Sequence, residues 1–181
     1  NHANTIPPKR QERRLLADRI AALEKELRLT AALKKADQAI RRDDWQAALH
    51  GYRNALKDAP RDQAIQAGLA RATEITALKN AFKAILADPY QLSDPAAKNN
   101  AEKLLNNAQP MAQYSFSLQL NTRELEEKLA VMQQKVTVKV ISDEKTYVKV
   151  IGVGNVGIVI EKIIRIKPGR YTFEGSRSGY V

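Results

Sequence analysis

Between Lys9 and Gln109 the chain contains only two glycines, Gly51 and Gly68, and is dominated by Ala, Leu, Lys, Arg and Glu. From Val136 onward the other six of its eight glycines appear, among dense runs of Val and Ile. This switch constrains the fold more than any other feature. Alanine and the straight-chain residues lose little freedom in a helix. Beta-branched side chains are stiff and pack well on a pleated surface. The chain therefore reads as α+β with segregated halves: helical hairpins first, then a small antiparallel β-sandwich. The expected divisions are a disordered tail over 1–8, a helical domain over 9–133 and a β domain over 134–181.

The tail Asn1 to Pro8 carries a Pro-Pro pair and no apolar face. A first helix is expected from Lys9 to Arg42. Within it Leu16, Ile20, Leu23 and Leu27 recur at spacings of four, three and four, an a/d stripe of two heptads. Such a stripe either packs on its own domain or pairs two copies of the chain. Asp43-Asp44 make a turn, and Pro60 stops the helix that follows. Residues 61–87 show no internal turn signal and read as one long helix or a degenerate hairpin. Asp94-Pro95 is a helix start, with Asp as cap and Pro in the first turn, for a helix ending near Ala108 before Pro110. Phe116, Leu118 and Leu120 alternate with polar residues, which predicts an extended segment over Ser115 to Leu120. Asn121 is then expected to cap a last helix ending near Gln133, with Glu124 reaching back.

Ala36, Ala39, Trp45, Ala48, Tyr52, Ala55 and Pro60 fall in a helix–turn–helix frame. Small residues let two antiparallel helices approach closely, and aromatics fill the space beside the next helix. This frame resembles a tetratricopeptide repeat of about 34 residues. Asp43 stands where that family usually has a turn glycine. The resemblance implies a partner-binding groove on the inner face of the first repeat helix, with Leu33, Asp37, Ile40 and Arg41 near it and Arg71 from the following helix. Asp37 occupies the position of the asparagine that some repeats use for a terminal carboxylate, so no preference for a free C-terminus is expected. Trp45 and Tyr52 are expected core residues.

In the last part of the chain Val136, Val138 and Val140 alternate with Thr137 and Lys139. Ser142 to Lys145 is a polar turn, and Thr146 to Ile151 a second strand. Ile158 to Ile166 supplies one or two more, and Arg170 to Glu174 follows the Pro168-Gly169 turn. The series Ser142, Val148, Gly157, Pro168, Gly169, Tyr171, Gly179 and Tyr180 resembles the PEGA family of small β domains from bacterial envelope proteins. That resemblance implies one more strand beyond Tyr180. It also implies an exposed sheet edge at Val136 to Ile141 or at Arg170 to Glu174, through which two chains can pair.

Gly152-Val153-Gly154-Asn155-Val156-Gly157 is a literal G-x-G-x-x-G after a Val-rich strand, and Glu174 lies where a ribose-binding acid would fall. Against a dinucleotide site, the next residues are beta-branched where a helix should open, and few residues remain for a doubly wound sheet. The glycines are better read as a loop or bulge needing positive φ. No other catalytic set is visible. There is no cysteine and there are two histidines, His2 and His50, which excludes thiolate zinc sites and multi-histidine centres. His50 is expected to be a partly buried structural residue. The carboxylates Asp43-Asp44 and Glu124-Glu126-Glu127 are expected at helix ends. No catalytic, metal or cofactor residue is therefore assigned.

The net charge is +10, from 30 basic and 20 acidic residues, spread along the chain with a mild cluster at Lys9, Arg10, Arg13 and Arg14. Aromatics are 6%, few for base stacking, which argues against nucleic acid and leaves attraction to an anionic membrane surface or an acidic partner. Both resemblances are to binding modules. The function expected is a non-enzymatic protein–protein interaction scaffold of the bacterial cell envelope. It would be periplasmic and held by an N-terminal anchor upstream of Asn1. The alternative is a cytoplasmic binder of nucleic acid or anionic surfaces, with a dinucleotide enzyme last.

Overall fold

Five α-helices are followed by five short strands, with a 3-10 turn between the third and fourth helices, in the computed structural model, which describes residues 8–179. The expected tail lies outside the described residues except for Pro8, as does Tyr180. The helices are α1 (Pro8–Arg41), α2 (Trp45–Asp58), α3 (Gln63–Ala87), α4 (Pro95–Ala112) and α5 (Phe116–Gln133). The strands are β1 (Val136–Ile141), β2 (Tyr147–Val150), β3 (Gly154–Ile158), β4 (Glu161–Ile166) and β5 (Phe173–Ser176). The α+β order is thus as the residue types dictate. By packing, the chain falls into two compact units, Asn1–Ala77 and Leu78–Val181. The change from helix to strand lies farther on, between α5 and β1.

In the first unit α1 and α2 form an antiparallel hairpin. Its turn is built by two aspartates with different tasks. Asp43 takes φ +58°, in the left-handed region that glycine adopts most readily. Its carboxylate accepts the Trp45 indole N–H at 2.7 Å, a local bond that offsets the strain. Asp44 caps α2 by accepting the Ala47 N–H at 2.9 Å. Gly51 lets the helices touch: a Cβ there would meet the Ala36 Cβ at 2.8 Å and Ala36 backbone at 3.0 Å. Ala36, Ala39, Trp45, Ala48 and Ala55 are buried, as the frame requires. Tyr52 is only half-buried and Pro60 is exposed. The Tyr52 ring lies over Gly68 of α3, where a Cβ would stand 2.5 Å from it. Residues 63–87 are one uninterrupted helix, so no second hairpin forms there.

In the second unit Asp94 caps α4 by accepting the Ala97 N–H at 2.9 Å, with Pro95 in the first turn, as expected. The helix runs past Ala108 to Ala112 and takes in Pro110. The expected extended segment over Ser115 to Leu120 is not observed. Ser115 is the N-cap of α5, buried and accepting the Leu118 N–H at 3.2 Å, and Asn121 lies inside the helix. Tertiary packing decides this: Leu118, Leu125, Leu129 and Met132 are buried at helical spacing, while Phe116 and Leu120 face solvent. Glu124, Glu126 and Glu127 therefore sit along the body of α5 rather than at its end.

The β region consists of two antiparallel sheets, β1-β4 and β3-β2-β5. They enclose Val140, Val148, Val150 and Val156, with Val138, Val159, Ile164 and Tyr171 packed against them. The last strand is Phe173–Ser176, displaced from the expected 170–174. Tyr171 is held before it, its hydroxyl donating to the Lys167 carbonyl at 2.8 Å across the Pro168-Gly169 turn. Among the described residues β1 and β5 each bond to a neighbour on one side only.

The β1–β2 turn is organised by Asp143, which accepts the Lys145 N–H at 3.0 Å and the Thr146 N–H at 2.8 Å and pairs with Arg177 at 3.4 Å. The Lys145 amide first, then Thr146 and the Arg177 charge, lower its pKa to about 2. A depressed folded-state pKa stabilises the fold above the unfolded value of about 3.9, and that contribution is lost as pH falls from there through about 2. The carboxyl carbon of Asp143, followed by NMR, is expected to titrate with a midpoint near 2. The Lys145 and Thr146 amide resonances should move with it, and Asp143→Asn should remove that pH dependence.

Candidate binding surfaces of the helical hairpin

Two faces of α1 offer binding chemistry, and they lie on opposite sides of the helix. The expected face carries Leu33, half-buried, with Asp37 and Arg41 exposed and Ile40 half-buried. Arg71 of α3 is exposed as well. Asp37 and Arg71 are both within electrostatic reach of the Tyr52 hydroxyl. Partial burial raises the Tyr52 pKa most, the Asp37 carboxylate adds to the rise, and Arg71 opposes it. Asp37 thus stands among Arg41 and Arg71, so this face mixes both signs of charge.

The opposite face carries a groove of about 560 Å³ that the sequence did not reveal. Ala31, Ala32 and Ala39 of α1 meet Ala47 and Gly51 of α2 along its floor. Arg28, Lys35, Arg42 and His50 line it, together with Gln38 and Asn54. No carboxylate is among the lining residues. Arg28, Lys35 and Arg42 are spaced by seven residues, so two turns of helix return each to the same side, beside alanines. That spacing was the available signal. On its own it reads as a solvated basic stripe, and it becomes a groove only when α2 is laid alongside.

The cations differ in their commitments. The Arg28 guanidinium bonds both oxygens of Asp58, at 3.1 and 3.4 Å, which ties the end of α2 to α1 and raises the Arg28 pKa. Arg42 donates to the Gln38 carbonyl of its own helix at 3.3 Å. His50 is exposed on the groove wall, contrary to the expectation of a partly buried structural residue. It extends the polar lining of the groove from α1 onto α2.

Elsewhere the geometry offers less. Gly152 to Gly157 turns from β2 into β3, with Gly152 at φ +75° and Gly157 at φ +95° beside a register shift at Val148/Lys149. It is a hairpin with a bulge, as expected, and it lacks the helix N-terminus on which a pyrophosphate site is built. A crevice between α4 and α5 mixes Glu102 and Glu126 with amides and aliphatic groups. Among the described residues no group of three His, Asp or Glu is placed to hold a metal ion, and no helix is long and apolar enough to cross a membrane. In comparison with known proteins, no family model matches the chain, no curated protein matches its sequence and no solved structure matches its fold.

Proposed function

We propose that this chain is a non-enzymatic scaffold that holds an acidic segment of a partner protein in the α1/α2 groove. The observation that carries this reading is the groove lining: Lys35 and Arg42 beside Arg28, which shares its charge with Asp58, no carboxylate among the lining residues, and a floor of alanine and glycine. A small-residue floor lets another backbone approach closely, and a one-signed wall selects the charge of what approaches. The expected face at Leu33, Asp37, Arg41 and Arg71 carries an exposed carboxylate of its own, whereas the groove lining has none, which favours the groove as the principal contact. The tetratricopeptide-like frame of the hairpin supports a peptide-binding role. The PEGA-like pattern of the β region supports a setting in the bacterial cell envelope, with the β module contacting a second protein or surface.

The test is fluorescence anisotropy with a labelled glutamate-rich peptide. Lys35→Glu together with Arg42→Glu is expected to weaken binding by about tenfold or more, since each 1.4 kcal/mol is a factor of ten. Asp37→Ala should leave binding within about twofold, a few tenths of a kcal/mol. Peptide binding that ignores the Lys35/Arg42 reversal would overturn the reading. Preferred binding of a single-stranded oligonucleotide, with a steep salt dependence, would favour the nucleic-acid alternative instead.

A further inference from the structure

Among the described residues, the N-terminal part of α1 has no partner within its own unit. Every residue from 9 to 28 is exposed, on all sides of the helix. In that stretch Leu16, Ile20, Leu23 and Leu27 leave 49 to 71% of their surface in water. Helices in proteins owe most of their stability to packing an apolar face. Five turns of helix with an apolar stripe and nothing against it are incomplete as they stand.

We infer that this stripe is the seam of a parallel two-stranded coiled coil with a second copy of the chain. Three features select that occupant. The spacing of four, three and four is a strict a/d seam, two residues per heptad. The d positions Leu16 and Leu23 are leucine and the central a position Ile20 is beta-branched, the combination that favours parallel dimers, with Leu27 at the next a position. The flanks are complementary as well. In a parallel, in-register pair the g position Arg19 faces the e position Glu24 of the partner, and symmetry makes that contact twice. The other g residues, Glu12 and Glu26, face alanines at Ala17 and Ala31, so these flanks set no like charges together, and the apolar seam begins after the a position Arg13.

A membrane surface is a poorer occupant. A helix lying in the headgroup layer presents a broad apolar face with lysine and arginine beside it. Here the seam is narrow, and Asp18, Glu24 and Glu26 stand among the basic residues, where anionic lipid would repel them. This inference does not depend on the groove reading, since it uses a different stretch of α1.

The experiment is the mass of the 181-residue chain in solution, by sedimentation equilibrium from micromolar to millimolar concentration. The wild type should approach a dimer. Ile20→Asp should remain monomeric with the Trp45 fluorescence unchanged, because Ile20 is exposed in the single chain. Arg19→Glu should weaken the dimer several-fold by setting like charges together, and adding Glu24→Arg should restore it. The chain has no cysteine, so Leu23→Cys introduces a single thiol. On mild oxidation it should cross-link to itself, as a parallel, in-register seam requires. A monomer at all concentrations, a dimer indifferent to Ile20→Asp, or no Leu23→Cys cross-link would each overturn the inference. So would a chain that stays monomeric and sediments with phosphatidylglycerol vesicles, which would make the stripe a membrane face.

Discussion

Trp45→Ala is expected to cost about 3–5 kcal/mol, a large part of the whole stability of a unit this size. The side chain is 3% exposed at the start of α2, and its indole N–H is bonded to Asp43. Truncation loses both the packing and the donor, and leaves the Asp43 carboxylate without that partner while its backbone stays at φ +58°. The neighbouring positions separate these effects. Trp45→Phe keeps most of the buried surface and should cost less than Trp45→Ala. Asp43→Gly fits the left-handed backbone and should be milder than Asp43→Ala, which adds strain of roughly 1 kcal/mol. Chemical denaturation followed by far-ultraviolet circular dichroism measures all four. A Trp45→Ala variant as stable as the wild type would mean that the hairpin does not depend on this frame.

The local signals were legible where the residues that decide an element lie close together in the chain. Asp44 and Asp94 cap helices through their own side chains, and the Asp43 turn needs no distant partner. The hairpin frame and the glycine turn between β2 and β3 were readable for the same reason. Ser115 to Leu120 misled because a short alternating run satisfies a strand template as well as part of a helix. The decision rests on Leu125, Leu129 and Met132, which extend the pattern from Leu118 at helical spacing. Glu at the third helical position would have marked the cap, but Leu118 stands there. The basic groove was hidden for another reason. It needs His50 and Asn54 of α2 beside Lys35 and Arg42 of α1, and a charge pattern read along one helix does not supply the second wall.

The groove and the seam occupy successive stretches of one helix, residues 28–42 and 16–27. If the seam pairs in parallel, each dimer carries two basic grooves. A partner with two acidic segments would then bind the second through a raised effective concentration, without any new contact. Ile20→Asp, which removes the seam, should leave single-segment binding unchanged and lower two-segment binding. Lys35→Glu with Arg42→Glu should lower both.

The helical reading of α5 predicts a large difference between neighbouring apolar residues. Leu118 and Leu125 are fully buried, whereas Phe116 is 69% and Leu120 is 49% exposed. Leu125→Ala and Leu118→Ala should each cost about 2–5 kcal/mol, the spread depending on how far the site collapses around the lost volume. Phe116→Ala and Leu120→Ala should stay within about 0.5 kcal/mol, as exposed substitutions do. A strand over the same residues would place Phe116, Leu118 and Leu120 on one face, and the three truncations would then have similar costs. Ser115→Ala adds an independent check: loss of the cap should cost about 1 kcal/mol if α5 begins there, and little if the helix begins at Asn121. Equal penalties at Phe116 and Leu118 in the denaturation midpoints would show that α5 begins later than Phe116.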